Sequence, residues 1–129
     1  MASTVRVLHA ARLKMLRDFI ARPMALRLFL NDVPKGREDD PDAYDEPDGL
    51  GYAVVGLHPE NWTLDEGALI ARYPETIWTF RGPAGLIRGN FLTDGRAVLL
   101  IERFLLPFPA QNDGDQLRVS LAVGTGMLA

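Results

Sequence analysis

The stretch LIRGNFLTDGRAVLLIERFL, residues 86 to 105, decides the fold. It contains two runs rich in strand-forming residues, 86–92 and 97–105, separated by Thr93-Asp94-Gly95-Arg96. An Asp-Gly pair supplies the positive φ angles that a tight two-residue β-turn requires. The stretch therefore predicts an antiparallel β-hairpin, and the other segments are interpreted around it.

Five further segments have the length and composition of short strands. The clearest is the last, because apolar residues alternate there with Arg118 and Ser120, as in a strand with one buried face. The five segments are residues 24–30, 52–57, 68–71, 76–81 and 116–123. About seven strands separated by turn residues predict a mainly β protein, either an antiparallel β-sandwich or a small jelly roll.

The segment before the first strand has a helical period instead. From Ser3 to Ala21 the apolar residues lie within one broad arc, and basic residues occupy the opposite side. Pro23 disfavours helical geometry at Arg22, so the helix is expected to end near Ala21. The sequence therefore predicts an amphipathic helical arm, residues 1–23, in front of a β domain, residues 24–129.

Length and composition are those of a single soluble domain. The chain has 129 residues, of which 47% are hydrophobic and 24% are charged. It contains no cysteine, which excludes disulfides, thiolate metal sites and cysteine catalysis. No run approaches the roughly 18 apolar residues of a membrane span, and the N-terminus lacks the apolar block of a signal peptide. Synthesis in the cytoplasm is expected.

Charge is distributed unevenly along the chain. Residues 1–30 hold six basic residues and one acidic residue, a net charge of +5, whereas the remainder has a net charge of −8. Much of the acidic excess lies in residues 31–50, a long segment with three prolines that is predicted to be a loop. Opposite charges in two segments suit copies that meet head to tail, or a partner with charge of either sign, and a homo-oligomer is expected. The loop residues expected to contact basic groups are Asp39, Asp40, Asp42 and Asp45.

Patterns that would support catalysis or metal binding are weak. The two serines and two histidines show no spacing typical of a Ser-His triad, and two isolated histidines without cysteine do not make a transition-metal site. Calcium binding by the acidic loop stays open as an alternative, although the spacing of an EF-hand is absent. The favoured interpretation is a solvated loop, with no cofactor and no enzymatic activity.

The predicted helix favours binding to protein. Leaving its apolar face in water forfeits roughly 25 cal/mol for each Å² of apolar surface. Neither nucleic acid nor a membrane surface is expected as a partner, because acidic residues dominate the chain after the helix. The residues expected to dock on a partner are Leu8, Arg12, Leu13, Leu16, Arg17, Phe19 and Ile20.

An order of short motifs runs through about three-quarters of the chain, from Ala25 to Leu121. The motifs are Leu26-Arg27-Leu28-Phe29, Gly51-Tyr52-Ala53, Asn61-Trp62-Thr63, the segment 73–80, the segment 89–94 and the segment 99–104. This order resembles small β-rich virion proteins of tailed bacteriophages. The resemblance implies an accessory structural part of a phage particle and brings no catalytic residues. The basic helix and the acidic loop depart from the compact β pattern of that family.

The expected function is therefore that of a non-enzymatic structural protein of a virion. A capsid decoration or cement protein that docks on capsid or tail proteins through its N-terminal helix is the favoured interpretation. A tail or tail-fibre accessory module is the alternative, with Trp62 or Trp78 exposed to bind host glycans. A hydrolase that uses loop carboxylates such as Asp40 and Asp45 is a third hypothesis.

Overall fold

The computed structural model describes residues 3–95 and 97–125, which form one α-helix and nine strands. The fold is mainly β with antiparallel sheets, consistent with a β-sandwich, so the expected fold class is confirmed with nine strands instead of about seven. The elements are α1 (His9–Ile20), β1 (Met24–Phe29), β2 (Val55–Leu57), β3 (Thr63–Asp65), β4 (Ile70–Arg72), β5 (Thr76–Arg81), β6 (Gly85–Asp94), β7 (Ala97–Ala110), β8 (Asp113–Val119) and β9 (Ala122–Gly124).

The chain comprises two compact units. The helical unit consists of Met1–Arg22, His58–Pro74 and Ser120–Ala129, and the hairpin unit consists of Pro23–Leu57 and Glu75–Val119. The expected division after residue 23 lies one residue from a change of unit, which falls between Arg22 and Pro23. The helix, however, is not a separate arm, because it shares its unit with β3, β4 and β9.

Within the helical unit, α1 packs against β4 of the sheet β3-β4-β9. The helix begins at His9, six residues later than Ser3, and Leu8 is its N-cap residue without a side-chain cap. Val5 and Val7 lie before the helix, outside regular secondary structure. The helix ends at Ile20, with Ala21 as C-cap, as the steric effect of Pro23 predicts.

The hairpin unit contains the predicted hairpin. β6 and β7 pair antiparallel up to Asp94 opposite Ala97, and Gly95 has a φ of 57°, so the hairpin is confirmed. Arg96, the other residue of the turn, lies outside the described residues. The hairpin forms one side of a four-stranded sheet with strand order β2-β1-β6-β7. The same unit holds the two-stranded sheet β5-β8, and Phe80 of β5 lies 6.2 Å from Phe108 of β7 between ring centroids.

The acidic loop, residues 31–50, is packed on this unit. Tyr44 stacks on Phe91 of β6 at 4.0 Å and meets the edge of Phe29 of β1 at 5.4 Å, both between ring centroids. Val33 is buried in the same apolar cluster. The loop also contains two short 3-10 helices, Lys35–Arg37 and Pro41–Ala43. Its backbone is therefore anchored at two points, while most of its carboxylates stay exposed.

The turn between β7 and β8 depends on one carboxylate. An oxygen of Asp115 accepts the backbone N–H groups of Asn112 at 2.9 Å and Gln111 at 3.0 Å. These two bonds favour the ionised form and hold the pKa of Asp115 below its ordinary value of 3.8. Because the folded-state pKa is depressed, the stabilisation is present above the ordinary pKa and is lost as the pH falls through the lower folded value.

We therefore expect Asp115→Ala to lower the urea midpoint of unfolding at pH 7, and we expect its difference from the wild type to shrink as the pH falls below the ordinary carboxyl pKa of 3.8 and the Asp115 side chain becomes protonated. Asp113→Ala is the matched control, because the Asp113 side chain accepts no hydrogen bond among the described residues. The control should leave the midpoint at pH 7 unchanged. A difference for Asp115→Ala that persists undiminished into acid would contradict the role of the ionised carboxylate.

Candidate protein-docking site

The pairing of β6 with β7 is interrupted in its middle. Ile87 pairs with Phe108 and Gly89 pairs with Arg103, so the four residues 104–107 stand opposite Arg88 alone. Extra residues in one strand of an antiparallel pair bend that strand and carry side chains out of the sheet. We call residues 104–107 the β7 bulge.

Two leucines of the β7 bulge are almost fully exposed. Leu105 is 98% exposed and Leu106 is 83% exposed. Phe104 and Pro107, the outer residues of the bulge, are partly buried and connect it to the sheet. Single exposed leucines are common on proteins, whereas clustered exposed apolar side chains are a feature of protein interfaces.

The base of the bulge is fixed by close backbone contact. A Cβ atom added at Gly89 would lie 2.0 Å from the carbonyl oxygen of Glu102 and 2.7 Å from Cζ of Phe29. Only glycine allows this approach of β6 to β7. Arg88 Nε donates to the carbonyl oxygen of Leu30 at 2.9 Å, which ties the residue opposite the bulge to the end of β1.

The acidic loop is bonded to the residue that precedes the bulge. Arg103 Nη2 donates to the carbonyl oxygen of Val33 at 3.0 Å and forms an ion pair with Glu38 at 2.9 Å. Arg103 immediately precedes the bulge, so the loop and the bulge are joined through one guanidinium group. The bulge is therefore displayed from a fixed base, and a partner that binds it does not have to order a mobile loop.

A groove of about 430 Å³ lies beside the two leucines. It is lined by residues 102–109 and, from β8, by Leu117 and Arg118. Two more exposed apolar side chains adjoin it across the strands: Leu86, 42% exposed, pairs with Pro109, and Ile77, 45% exposed, pairs with Arg118. The bulge and these neighbours place several exposed apolar side chains on the hairpin unit, and the charged residues Glu102, Arg103 and Arg118 also line the groove.

Two of the helix residues expected to dock on a partner are covered within this chain. Leu16 and Phe19, expected to bind a partner, are 0% and 9% exposed, so the fold of this chain already covers them. Leu13 and Ile20 are partly buried, and Leu8 is 63% exposed just before the helix. The prediction is wrong for Leu16 and Phe19, because an amphipathic period marks a face to be buried without identifying what buries it.

The basic side of the helix faces solvent. Arg12 and Arg17 are both exposed. Arg17 forms an ion pair with Glu66 of the same unit, so this residue already has an acidic partner within its own chain. Exposed ion pairs of this kind contribute little to stability, typically 0–1 kcal/mol.

The four acidic-loop residues expected to make contacts do not form one site. Asp40 pairs with Arg37 at 2.7 Å and accepts the backbone N–H of Asp42, and these bonds lower the pKa of Asp40. Asp39, Asp42 and Asp45 are exposed. Across residues 3–95 and 97–125, no three histidine, aspartate or glutamate side chains come close enough to hold a metal ion. The loop carboxylates therefore do not converge as a calcium site would require.

A partly buried polar network connects the C-terminal part of the acidic loop to β1. Arg27 of β1 pairs with Glu46 at 3.3 Å, and the hydroxyl of Tyr52 donates to the same carboxylate. The backbone N–H of Leu28 donates to that hydroxyl at 3.2 Å. Burial and the hydrogen bond to Glu46 raise the pKa of Tyr52 well above its ordinary value. The network fastens the loop to β1.

Both tryptophans proposed for glycan binding are covered. Trp62 is 8% exposed and Trp78 is 3% exposed, and Nε1 of Trp78 donates to the carbonyl oxygen of Ala53 at 2.8 Å. A sugar stacks on an exposed ring face, so neither ring forms the expected platform.

In the described part of the chain, no helix combines the length and apolar character needed to cross a membrane.

The β7 bulge is the feature that sequence reasoning missed. Pro107 and Pro109 predict an interruption of strand pairing, which the structure shows at Pro107 but not at Pro109, since Pro109 pairs with Leu86. The run 97–105 also places Leu105 in a paired strand, whereas the structure leaves it unpaired. The sequence does contain a signal for the bulge. Leu105 and Leu106, at the end of the strand run, directly precede Pro107-Phe108-Pro109, and proline within a sheet is confined to edge strands and bulges.

Comparison of the chain with protein-family models, curated proteins and solved structures gave no significant match.

Proposed function

We propose that this protein is a non-enzymatic structural subunit of a bacteriophage particle, of the capsid decoration or cement type, that binds neighbouring proteins through the β7 bulge. The observation that carries the proposal is the near-complete exposure of Leu105 and Leu106 on a fixed base. Burying two such side chains contributes roughly 1.5–3 kcal/mol each to association. The order of the motifs resembles that of β-rich virion proteins, and this resemblance supports a phage particle as the assembly.

The docking element of this proposal differs from the helix favoured by the sequence. Two of the apolar residues of the helix are already buried, whereas the leucines of the β7 bulge are free to contact another molecule. A decoration subunit needs a surface that is formed before it meets the particle. The bulge satisfies this need because its backbone is fixed by β6 and by the acidic loop.

The hydrolase hypothesis finds less support in the geometry. Asp40 is held ionised by Arg37, whereas a catalytic acid needs a pKa raised toward the working pH. The polar network around Glu46 is occupied by Arg27 and Tyr52, so its carboxylate is already engaged within the fold.

The test is incorporation into particles. Phage would be grown from a genome that encodes either the wild-type chain or Leu105→Asp/Leu106→Asp, and purified particles would be quantified by mass spectrometry. We expect the wild-type chain in every particle and a drop of about tenfold or more in copies of the double variant. Circular dichroism of the purified variant should be unchanged, since both side chains are exposed.

Val54→Asp is the control, because Val54 is a 40% exposed apolar residue of the same unit outside the groove lining. It should enter particles at the wild-type level. Wild-type chain missing from particles would overturn the virion role, and full incorporation of the double variant would overturn the role of the bulge. Antibody labelling of particles would separate a capsid position from a tail position.

A further inference from the structure

We infer that a second, smaller pocket of the hairpin unit binds a small zwitterion of the α-amino acid class. The pocket has a volume of about 130 Å³ and lies where the end of β1 meets the β7 bulge. Its lining consists of Phe29, Asn31, Asp32, Arg88, Arg103, Phe104 and Pro107. Neither exposed leucine of the bulge lines it, and the inference does not depend on the proposed function.

The pocket is lined by one cation and one anion that form no ion pair among the described residues. Arg88 donates through Nε to the carbonyl oxygen of Leu30 at 2.9 Å, and its guanidinium group makes no other hydrogen bond within residues 3–95 and 97–125. In the same part of the chain, the Asp32 carboxylate has neither a hydrogen bond nor an ion pair. No ion pair joins Asp32 to Arg88. A ligand that carries both charges would satisfy both groups at once.

The third charged residue of the lining, Arg103, does not turn the pocket into an anion site. Its charge is balanced by Glu38 at 2.9 Å, and it donates to the carbonyl oxygen of Val33 at 3.0 Å. A simple anion that pairs with Arg88 would meet the like charge of Asp32, and a simple cation would meet the like charge of Arg88. An α-amino acid avoids both repulsions, because its carboxylate can pair with Arg88 and its ammonium group with Asp32.

The backbone that carries Asp32 is fixed before a ligand arrives. The backbone N–H of Leu30 donates to the carbonyl oxygen of Asp45 at 2.7 Å, and the Asn31 side chain accepts the backbone N–H of Asp45 at 2.8 Å. On the other side of Asp32, Val33 is 2% exposed in the apolar cluster. Binding therefore orders little backbone, which lowers its entropic cost.

The size and walls of the pocket limit the ligand to a small molecule. Its volume is well below the roughly 300–1,000 Å³ of sites for drug-sized ligands. Phe29, Phe104 and Pro107 supply apolar walls between the polar groups. A guanidinium group can bind a carboxylate through two parallel hydrogen bonds, which favours a carboxylate at Arg88. Glycine and alanine are small molecules that offer both required charges.

The experiment is a nuclear magnetic resonance titration of the 15N-labelled full chain with glycine. We expect saturable shift changes at backbone amides of residues 29–32, 88 and 103–106, with a dissociation constant in the millimolar range. Acetate and methylammonium each carry one of the two charges and should bind about tenfold more weakly or less. Arg88→Gln and Asp32→Asn should each weaken glycine binding about tenfold.

Two matched controls should leave glycine binding unchanged. Arg81→Gln and Asp39→Asn remove the same charges from exposed residues outside the pocket lining. Arg88→Gln also removes the bond to Leu30, so its fold is checked by circular dichroism. Asp32→Asn removes no hydrogen bond of the described residues, and it decides the question if Arg88→Gln misfolds.

Shifts that stay linear in glycine concentration would overturn the inference, since they indicate nonspecific contact. Acetate binding as tightly as glycine would overturn the zwitterionic class, because Asp32 would then contribute nothing. Wild-type affinity in Asp32→Asn would overturn it as well.

Discussion

Gly89→Ala is expected to cost about 4 kcal/mol or more, a large part of the 5–15 kcal/mol that stabilises a typical domain. The new methyl group would lie 2.0 Å from the carbonyl oxygen of Glu102, which belongs to the paired backbone of β7. A backbone atom cannot move aside as the end of a flexible side chain can. Strands β6 and β7 would have to separate where the β7 bulge begins, so the bulge and the apolar cluster under it would both be disturbed.

Chemical denaturation followed by circular dichroism would measure this loss. Gly56→Ala is the matched control, since Gly56 lies in β2 of the same sheet and a Cβ there would meet nothing within 4 Å. That control should be neutral or slightly stabilising, because alanine loses less backbone entropy on folding than glycine. Equal stability of the two variants would show that the close approach at Gly89 is not rigid.

Tyr44→Ala is expected to cost about 3–5 kcal/mol, the usual range for truncating a buried aromatic side chain. Tyr44 is 7% exposed, and its ring stacks on Phe91 and contacts the edge of Phe29. Tyr44 also holds the acidic loop through its hydroxyl, which donates to the carbonyl oxygen of Glu38 at 2.5 Å. Loss of the ring should therefore release the loop from the sheet as well as lower global stability.

Limited trypsin digestion would separate the two effects of Tyr44→Ala, because Lys35 and Arg37 lie in the loop that Tyr44 anchors. Cleavage after these residues should become faster at temperatures where the variant is still folded. Tyr44→Phe keeps the ring and removes one hydrogen bond, so it should cost about 1 kcal/mol and leave the loop protected. A loop that stays equally protected in Tyr44→Ala would mean that Val33 and Arg103 suffice to anchor it.

Gly89 and Tyr44 both support the candidate site without contacting a partner. Gly89 sets the distance between β6 and β7 at the base of the bulge, and Tyr44 holds the loop whose Glu38 pairs with Arg103 at its flank. Either change should weaken association indirectly, by disturbing the geometry of the surface. Leu105→Asp/Leu106→Asp removes the contact itself and is expected to leave the fold intact. Unfolding and incorporation into particles should therefore be measured for each variant. A residue that supports the site changes both quantities, whereas a residue that contacts the partner changes incorporation alone.

The candidate site could be predicted from sequence only in part. Proline at 107 and 109 indicates that regular pairing stops near the end of β7. It does not indicate that pairing resumes at Phe108, which is what turns the interruption into a bulge and raises Leu105 and Leu106 from the sheet. Pairing resumes where Phe108 lies opposite Ile87 of β6. The residue pattern of β7 alone does not indicate which residue of β6 lies opposite Phe108.

The sequence by itself determined the features that arise from local physics: the hairpin that turns at Gly95, the end of the helix before Pro23 and the alternating burial along residues 116–123. The single strand expected over 116–123 is divided in the structure between β8 and β9. Turn geometry, proline sterics and period-two burial each involve residues that are close along the chain. Only the tertiary structure decided which apolar side chains are covered. Leu16 and Phe19 are buried and Leu105 and Leu106 are exposed because coverage depends on segments distant in sequence, which no local pattern specifies.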